Sequence, residues 1–373
     1  MKTPLSIELG VQYPIFAFTR SREVAAAVTR AGGVGMLGLI EKTLDQVRAD
    51  LDWMDENCGG KPYGVDVVMP AKYVGSDQAA PMDTAAFEKM IPEEHKRFLA
   101  HLMDKYNVPP LPEGETAYHG LLAWTEDRTR PQVEVALSHP IAVLANALGP
   151  PPKDIVDAAH AGGVKVAALT GSTRHARKHV ENGVDIVVAA GTEAGGHCGE
   201  ISTMVLVPEV VDAVAPAPVL AAGGIGTGRQ IAAALALGAQ GVWTGSIWLT
   251  VEESDVDAPI KQKLFAATSR DTVRSRALSG KPARQLKTAW SDEWDDENNP
   301  KPLPMPLHFM AMAEATTRIH RFASDPTSRA VELATSPVGQ IVGQMNAPIS
   351  TAELVDKLVT EFEAAARRVE ESR

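Results

Sequence analysis

Short apolar runs alternate with amphipathic stretches along most of the chain. Residues 14–18, PIFAF, predict a first strand. Ser21 then caps a helix whose apolar face is Val24, Ala27, Val28 and Ala31, and Gly32 and Gly33 stop it. A second strand follows at 34–38, a helix at 43–56, and a third strand at 63–69. The period returns with strands at 141–149, 164–171, 184–191, 218–224 and 241–246. Helices are expected near 152–162, 173–183, 208–215 and 229–241. Eight strands, most followed by a helix, imply a parallel sheet, and eight units favour a closed (β/α)8 TIM barrel of the α/β class.

Two stretches break the pattern. Residues 71–130 are polar and proline-bearing, with VPPLPEGETAYHG at 108–120, and read as an inserted helical and loop segment able to serve as a lid. From about 252 the barrel period fades, and SDEWDDENNPKPLPMPL at 291–307 reads as an exposed loop. C-terminal helices follow. In the last of them Ser350 and Glu353 form a capping box, with Leu354, Leu358, Phe362 and Ala365 on one face. The expected organisation is a single domain, 1–373, with insertions at about 71–130 and 285–330. The 373 residues suit a barrel, which uses roughly 250 to 400 as one unit.

Charge and composition narrow the class. A net charge of -11 argues against general nucleic-acid or anionic-membrane binding. The two cysteines, Cys58 and Cys198, make no disulfide framework and fit a reducing cytoplasm. The N-terminus MKTPLSIELG lacks the apolar core of a signal peptide, and no run approaches the roughly 20 apolar residues of a membrane span. No zinc-type ligand spacing occurs, so no metal site is expected.

Barrel chemistry sits at the C-terminal strand ends. There, Gly223, Gly224 and Gly226 precede a helix, and Trp243, Thr244, Gly245 and Ser246 end the eighth strand. Glycine-rich ends after strands 7 and 8 offer backbone N–H groups to a phosphate. The spacing of GGIGTG is not that of a dinucleotide fingerprint, which disfavours a tightly held NAD. The sixth strand ends in AAGTEAGGHCGE, 189–200, whose small residues leave room for a flat ligand beside His197. Histidine changes charge near neutral pH, so His197 is the candidate catalytic group. Cys198 reads as a bystander, while Glu193 and Glu200 are acid–base groups, groups that orient His197 or, more simply, backbone or loop hydrogen-bonding groups. Lys165, at the start of strand 5, points either to the ligand or to solvent. Asp66, an acid inside an apolar strand, is expected to face a polar ligand at the mouth.

GTEAGGHCGE, PVLAAGGIGTGRQIAAALALGAQGVWTGS and ALSGKPARQL resemble the nitronate monooxygenase, or 2-nitropropane dioxygenase-like, family. PIFAF, AGGVGMLG and GVDVVMP match its N-terminal pattern. The resemblance implies an FMN-binding barrel that oxidises alkyl nitronates with O2 to a carbonyl compound and nitrite. It places the catalytic histidine on His197 and flavin contacts on Asp66, Ala190, Gly195, Gly224 and Trp243 through Ser246. With them the cofactor site takes in Gly196, Gly223, Gly226 and Lys165, while Ala17 and Phe18 would pass along the ring. Gln340, in SPVGQIVGQ, is a weaker candidate. The chain departs from the family at several places: Asp66 stands where asparagine is common and Ala190 where glutamine is common. FAFT replaces a Q-A-P-M-like strand end, and WTGS replaces Q-M-G-T. These changes imply altered flavin affinity or potential.

Rival readings on the same residues are an FMN-dependent NAD(P)H:quinone or enoyl reductase, a non-oxidative phosphate-binding barrel, and a flavin-binding protein without turnover. The expected partners are a nitronate or other carbon acid and O2 or another electron acceptor. Homo-oligomerisation is left open.

Overall fold

The eight apolar runs form eight strands of a closed parallel barrel in the computed structural model, which describes residues 1–69, 84–115, 117 and 126–372. The strands are β1 (Ile15–Thr19), β2 (Val34–Gly38), β3 (Gly64–Val67), β4 (Val143–Asn146), β5 (Lys165–Thr170), β6 (Ile186–Ala190), β8 (Val219–Ala222) and β9 (Gly241–Thr244), with β9 pairing back onto β1. A two-residue strand outside the barrel, β7 (Gly196–His197), joins β10 (Thr272–Ser275) and β11 (Ala283–Leu286) in a small antiparallel sheet. Nearly every barrel-strand residue is buried, as a parallel sheet covered on both faces requires.

Alternation along the strands separates two layers. Phe16, Met36, Val143, Ala145, Ile186, Val188, Leu220 and Trp243 fill the interior, while Ala17, Val187, Ala189 and Val242 meet outer helices. The interior is plugged from below by α1 (Pro4–Glu8), which the apolar pattern did not foretell. Its Leu5 joins the interior cluster, and Thr3 Oγ1 donates to Gln240 O at 2.7 Å.

The outer ring comprises α2 (Arg22–Arg30) and α3 (Leu44–Asn57), then, beyond the first insertion, α6 (Glu126–Leu137), α7 (Lys153–Ala161), α8 (Thr173–Glu181), α9 (Thr203–Val214) and α10 (Gly228–Ala236). The first insertion contributes α4 (Thr84–Lys89) and α5 (Glu93–Lys105); the second, α11 (Ala258–Ala266), α12 (Ala289–Asp295), α13 (Leu307–Phe322) and α14 (Ala330–Leu333). The ring closes with α15 (Thr351–Glu371), which packs between α10 and α2 and carries the expected Ser350–Glu353 capping box. The chain therefore leaves the barrel after β9 and returns only at residue 351. This second insertion is longer than the expected 285–330.

Within 71–130, residues 126–130 begin α6, a barrel helix packed on β3 and α3, so the insertion ends earlier than its composition suggests. Residues 71–83, 116 and 118–125 of the expected lid lie outside the described residues. Its described helix α5 docks on the second insertion: Phe98 meets the Trp294 ring edge-on at 4.8 Å, and His95 Nε2 lies 2.9 Å from Lys301 O. The helix expected at 208–215 begins earlier, at Thr203, with Pro208 inside it. The start is fixed from a distance, because the Glu193 carboxylate accepts from Thr203 N–H at 2.9 Å and from Thr203 Oγ1 at 2.8 Å. Among the described residues no helix is long and apolar enough to cross a membrane, and no cluster of acidic, histidine or cysteine side chains could hold a metal.

Candidate active site at the mouth of the barrel

The C-terminal ends of the strands form a mouth lined by small and flat side chains. The Phe18 and Trp243 rings stack with centroids 6.3 Å apart at 19°. A Cβ on Gly38 would come within 3.0 Å of the Phe18 ring, so glycine lets that ring lie across β2. Ala145, Ala190 and Ala222 also face inward. Asp66 is 4% exposed, and its Oδ1 has no hydrogen-bond partner. Burial holds its carboxyl well above the usual carboxylate range. Ala17 and Thr244 do not join this lining through their side chains. Strand alternation turns Ala17 to the outer layer, and Thr244 Oγ1 bonds Phe16 O at 3.2 Å and accepts from the Trp248 indole at 3.0 Å.

The two glycine-rich ends lie beside each other because β8 pairs with β9. Gly223 and Gly224 have φ of 95° and 67°, which glycine adopts freely. Among the described residues, the N–H groups of Gly224, Ile225, Gly245 and Ser246 have no hydrogen-bond partner. Ser246 Oγ accepts from Gly339 N–H at 2.8 Å and retains its own proton to donate. Gly226 differs: its N–H is taken by Gln230 Oε1 at 3.0 Å, and its missing side chain admits Ile341. The donor set suits a phosphate, and the small inward residues around an unpartnered carboxyl suit a flat, polar ring.

The loop from β6 to β7 is held from several sides. Thr192 O accepts from Arg284 Nε at 2.8 Å, and Glu193 O accepts from Gln340 N–H at 2.9 Å. A Cβ on Gly195 would stand 2.7 Å from Gly339 N, so this glycine also permits close packing of the C-terminal segment. Gly196, with φ of 75°, turns the chain into β7. His197 pairs with Ala283 of β11, and its Nε2 lies 2.7 Å from Ser279 Oγ. Its pKa is pushed down to about 4, first by removal of the ring from water and then by the nearby Lys281 ammonium. The imidazole is therefore neutral at pH 7. Nε2 is engaged by Ser279, and Nδ1 is the free ring nitrogen among the described residues.

Neighbouring groups take structural parts. Cys198 Sγ lies 3.6 Å from Thr192 O, and burial pushes its thiol up, so it is not a ready thiolate. Glu193 caps α9, and Glu200 is an exposed partner of Arg274 at 3.4 Å. Lys165 is a correction. It starts β5, at the opposite end of the barrel, where Nζ pairs with Glu8 at 2.7 Å and Asp185 at 3.8 Å. A strand's first residue points to the floor, not the mouth. Gln340 reaches the mouth segment through its backbone. Ser279 and Lys281 had no role assigned from sequence; they stand 82 and 84 positions beyond His197, and no local spacing signals the meeting.

Residues 1–361 match the nitronate monooxygenase family. The chain is 50% identical to Rv1533 of Mycobacterium tuberculosis, provisionally named a monooxygenase, across 97% of this chain and 96% of that one. Among solved structures it resembles nitroalkane oxidase from Streptomyces ansochromogenes, with 27% identity, a TM-score of 0.78, and coverage of 98% and 99%. It also resembles FabK from Thermotoga maritima, with 25% identity, a TM-score of 0.74, and full coverage of both chains. By sequence along almost its whole length, and by the barrel that sequence builds, the chain belongs to the nitronate monooxygenase family and is an oxidoreductase.

Proposed function

We propose that the protein is an FMN-dependent oxidoreductase that converts alkyl nitronates, with O2, to a carbonyl compound and nitrite. The observation that carries this reading is His197: a neutral imidazole on the mouth-side loop, held by Ser279 and close to the Lys281 ammonium. Bound FMN supplies the redox chemistry. The N–H groups of Gly224, Ile225, Gly245 and Ser246, with the Ser246 hydroxyl, hold its phosphate. Phe18, Trp243, Ala190, Ala222 and Asp66 line the space for its ring. Lys281 draws an anionic nitronate toward the mouth, and His197 hydrogen-bonds it or takes a proton from a carbon acid.

The test is the visible spectrum of the purified protein, followed by anaerobic titration. A flavin spectrum bleached by an alkyl nitronate is expected, and heat-released flavin should co-migrate with FMN. Stoichiometric FAD would remove the cofactor assignment. Bleaching by NADH but not by nitronates would replace nitronate oxidation with flavin reductase activity. A colourless protein that cannot be reconstituted would leave a non-oxidative barrel.

A further inference from the structure

Among the described residues, Asp66 has no structural partner to account for it. On β3, Val65 and Val67 face the outer helices, so Gly64 and Asp66 face the interior. A Cβ on Gly64 would meet Met36 Sδ at 2.6 Å, which sets that face against the interior cluster. Asp66 lies two residues nearer the mouth. Its register neighbours are Gly38 on β2 and Ala145 on β4, neither of which carries a polar side-chain group. No described residue hydrogen-bonds either carboxyl oxygen.

Among the described residues no cation offsets this burial. β2 and β4 carry no charged residue. Among its described side chains the charged ones of helix α6, packed on the outer side of β3, are Arg130, which pairs with Asp154, and the exposed Glu134. A carboxyl group with neither partner nor counter-charge keeps its proton. It is then a donor rather than an acceptor only.

We infer that Asp66 is a neutral carboxylic acid in the ring site, giving a hydrogen bond to an oxygen or nitrogen acceptor of the bound flavin. The inference rests on the FMN reading above. A neutral group at this place also spares an anionic ring or nitronate the repulsion that a carboxylate would exert.

The flavin-loaded protein tests this by infrared spectroscopy against Asp66→Asn. The wild type should show a protonated-carboxyl C=O stretch that shifts on deuterium exchange and is missing in the variant. FMN binding is followed in parallel by fluorescence quenching. Asp66→Asn should bind within about threefold of wild type, and Asp66→Ala about ten- to a hundredfold more weakly, the cost of losing one buried donor. Wild-type affinity should fall as rising pH ionises Asp66, while that of Asp66→Asn stays flat. If the wild type binds FMN but lacks the protonated stretch, or if Asp66→Ala binds FMN as well as wild type, the inference fails and the FMN reading stands. If the wild type binds no FMN, both fail together.

Discussion

His197 and Asp66 are both kept uncharged by burial, with opposite consequences for their chemistry. A neutral His197 is ready as a base or donor wherever the pH exceeds about 4. Anaerobic flavin reduction by a neutral carbon acid, which His197 must deprotonate, should therefore be flat through neutral pH and fall as pH drops through about 4, read by stopped-flow absorbance. His197→Ala should keep flavin and slow that reduction by roughly 10²–10⁴-fold. His197→Asn should recover part of the rate if donation suffices, and Cys198→Ala should be nearly silent. Ser279→Ala should slow reduction about tenfold, the worth of one hydrogen bond, and shift the pH profile. A wild-type rate in His197→Ala would make the histidine structural. Asp66 was legible because an acid in an apolar strand demands a reason, and its departure from asparagine is smaller than it looks if it still donates. Lys165 was placed at the start of strand 5 yet counted in the cofactor site, although a parallel strand's start lies at the floor of the barrel, where it pairs with Glu8 and Asp185. Ala17 and Thr244 show the same limit: a strand can be located before the facing of each side chain is known. Ser279 was invisible because only the return of a distant segment brings it to His197.

Elements were most legible where the local signal was complete. The barrel strands announced themselves as buried apolar runs, and α15 through its capping box. The start of α9 was missed because its cap, Glu193, comes from another loop; α1 was missed because five residues carry too little pattern. Two predictions belong here. Gly224 sits at φ 67°, where Asn and Asp are both tolerated, so comparing the two isolates charge. Gly224→Asp should weaken FMN binding at least tenfold more than Gly224→Asn, because its carboxylate would meet a phosphate and the nearby Glu193. Equal flavin content in the two variants would remove the phosphate from this end. Gly228 starts α10 against the backbone of α15, with no room for a Cβ beside Leu358 O and Phe362 N. Gly228→Ala should force the helices apart and cost about 1–3 kcal/mol, measured by denaturant unfolding.

At the scale of the molecule, two insertions far apart in sequence become one layer, and its polar core sets the acid response. The joint is where Trp294 stands edge-on to His308, with centroids 4.5 Å apart, and meets Phe98 of the first insertion. Composition marked both stretches as departures from the barrel, but could not show that they pack together, since that depends on aromatic contacts about 200 residues apart in the chain. His308 is fully buried; its Nδ1 accepts from Leu303 N–H at 3.3 Å and its Nε2 donates to Ala277 O at 3.2 Å. A proton on Nδ1 would break the first bond inside an apolar cluster. Burial accordingly pushes the pKa down from 6.5 to about 4. A folded-state pKa below the unfolded one gives stability that is complete above pH 6.5 and lost as pH falls toward 4. His308 alone would forfeit about 3 kcal/mol across that window. His197 adds a smaller loss of the same sign, because it is partly open to solvent. Asp66 acts oppositely: its raised pKa gives stability present below 3.8 and lost as rising pH passes its folded value. Urea unfolding is therefore followed in Asp66→Asn, which removes the opposing carboxyl, and its stability should drop between pH 6.5 and 4. The His308 change is made in the same background. His308→Gln should be less stable at pH 7 but have a flatter profile, since it has no proton to take up. An unchanged slope in that variant would mean that the acid sensitivity lies elsewhere than at the joint of the two insertions.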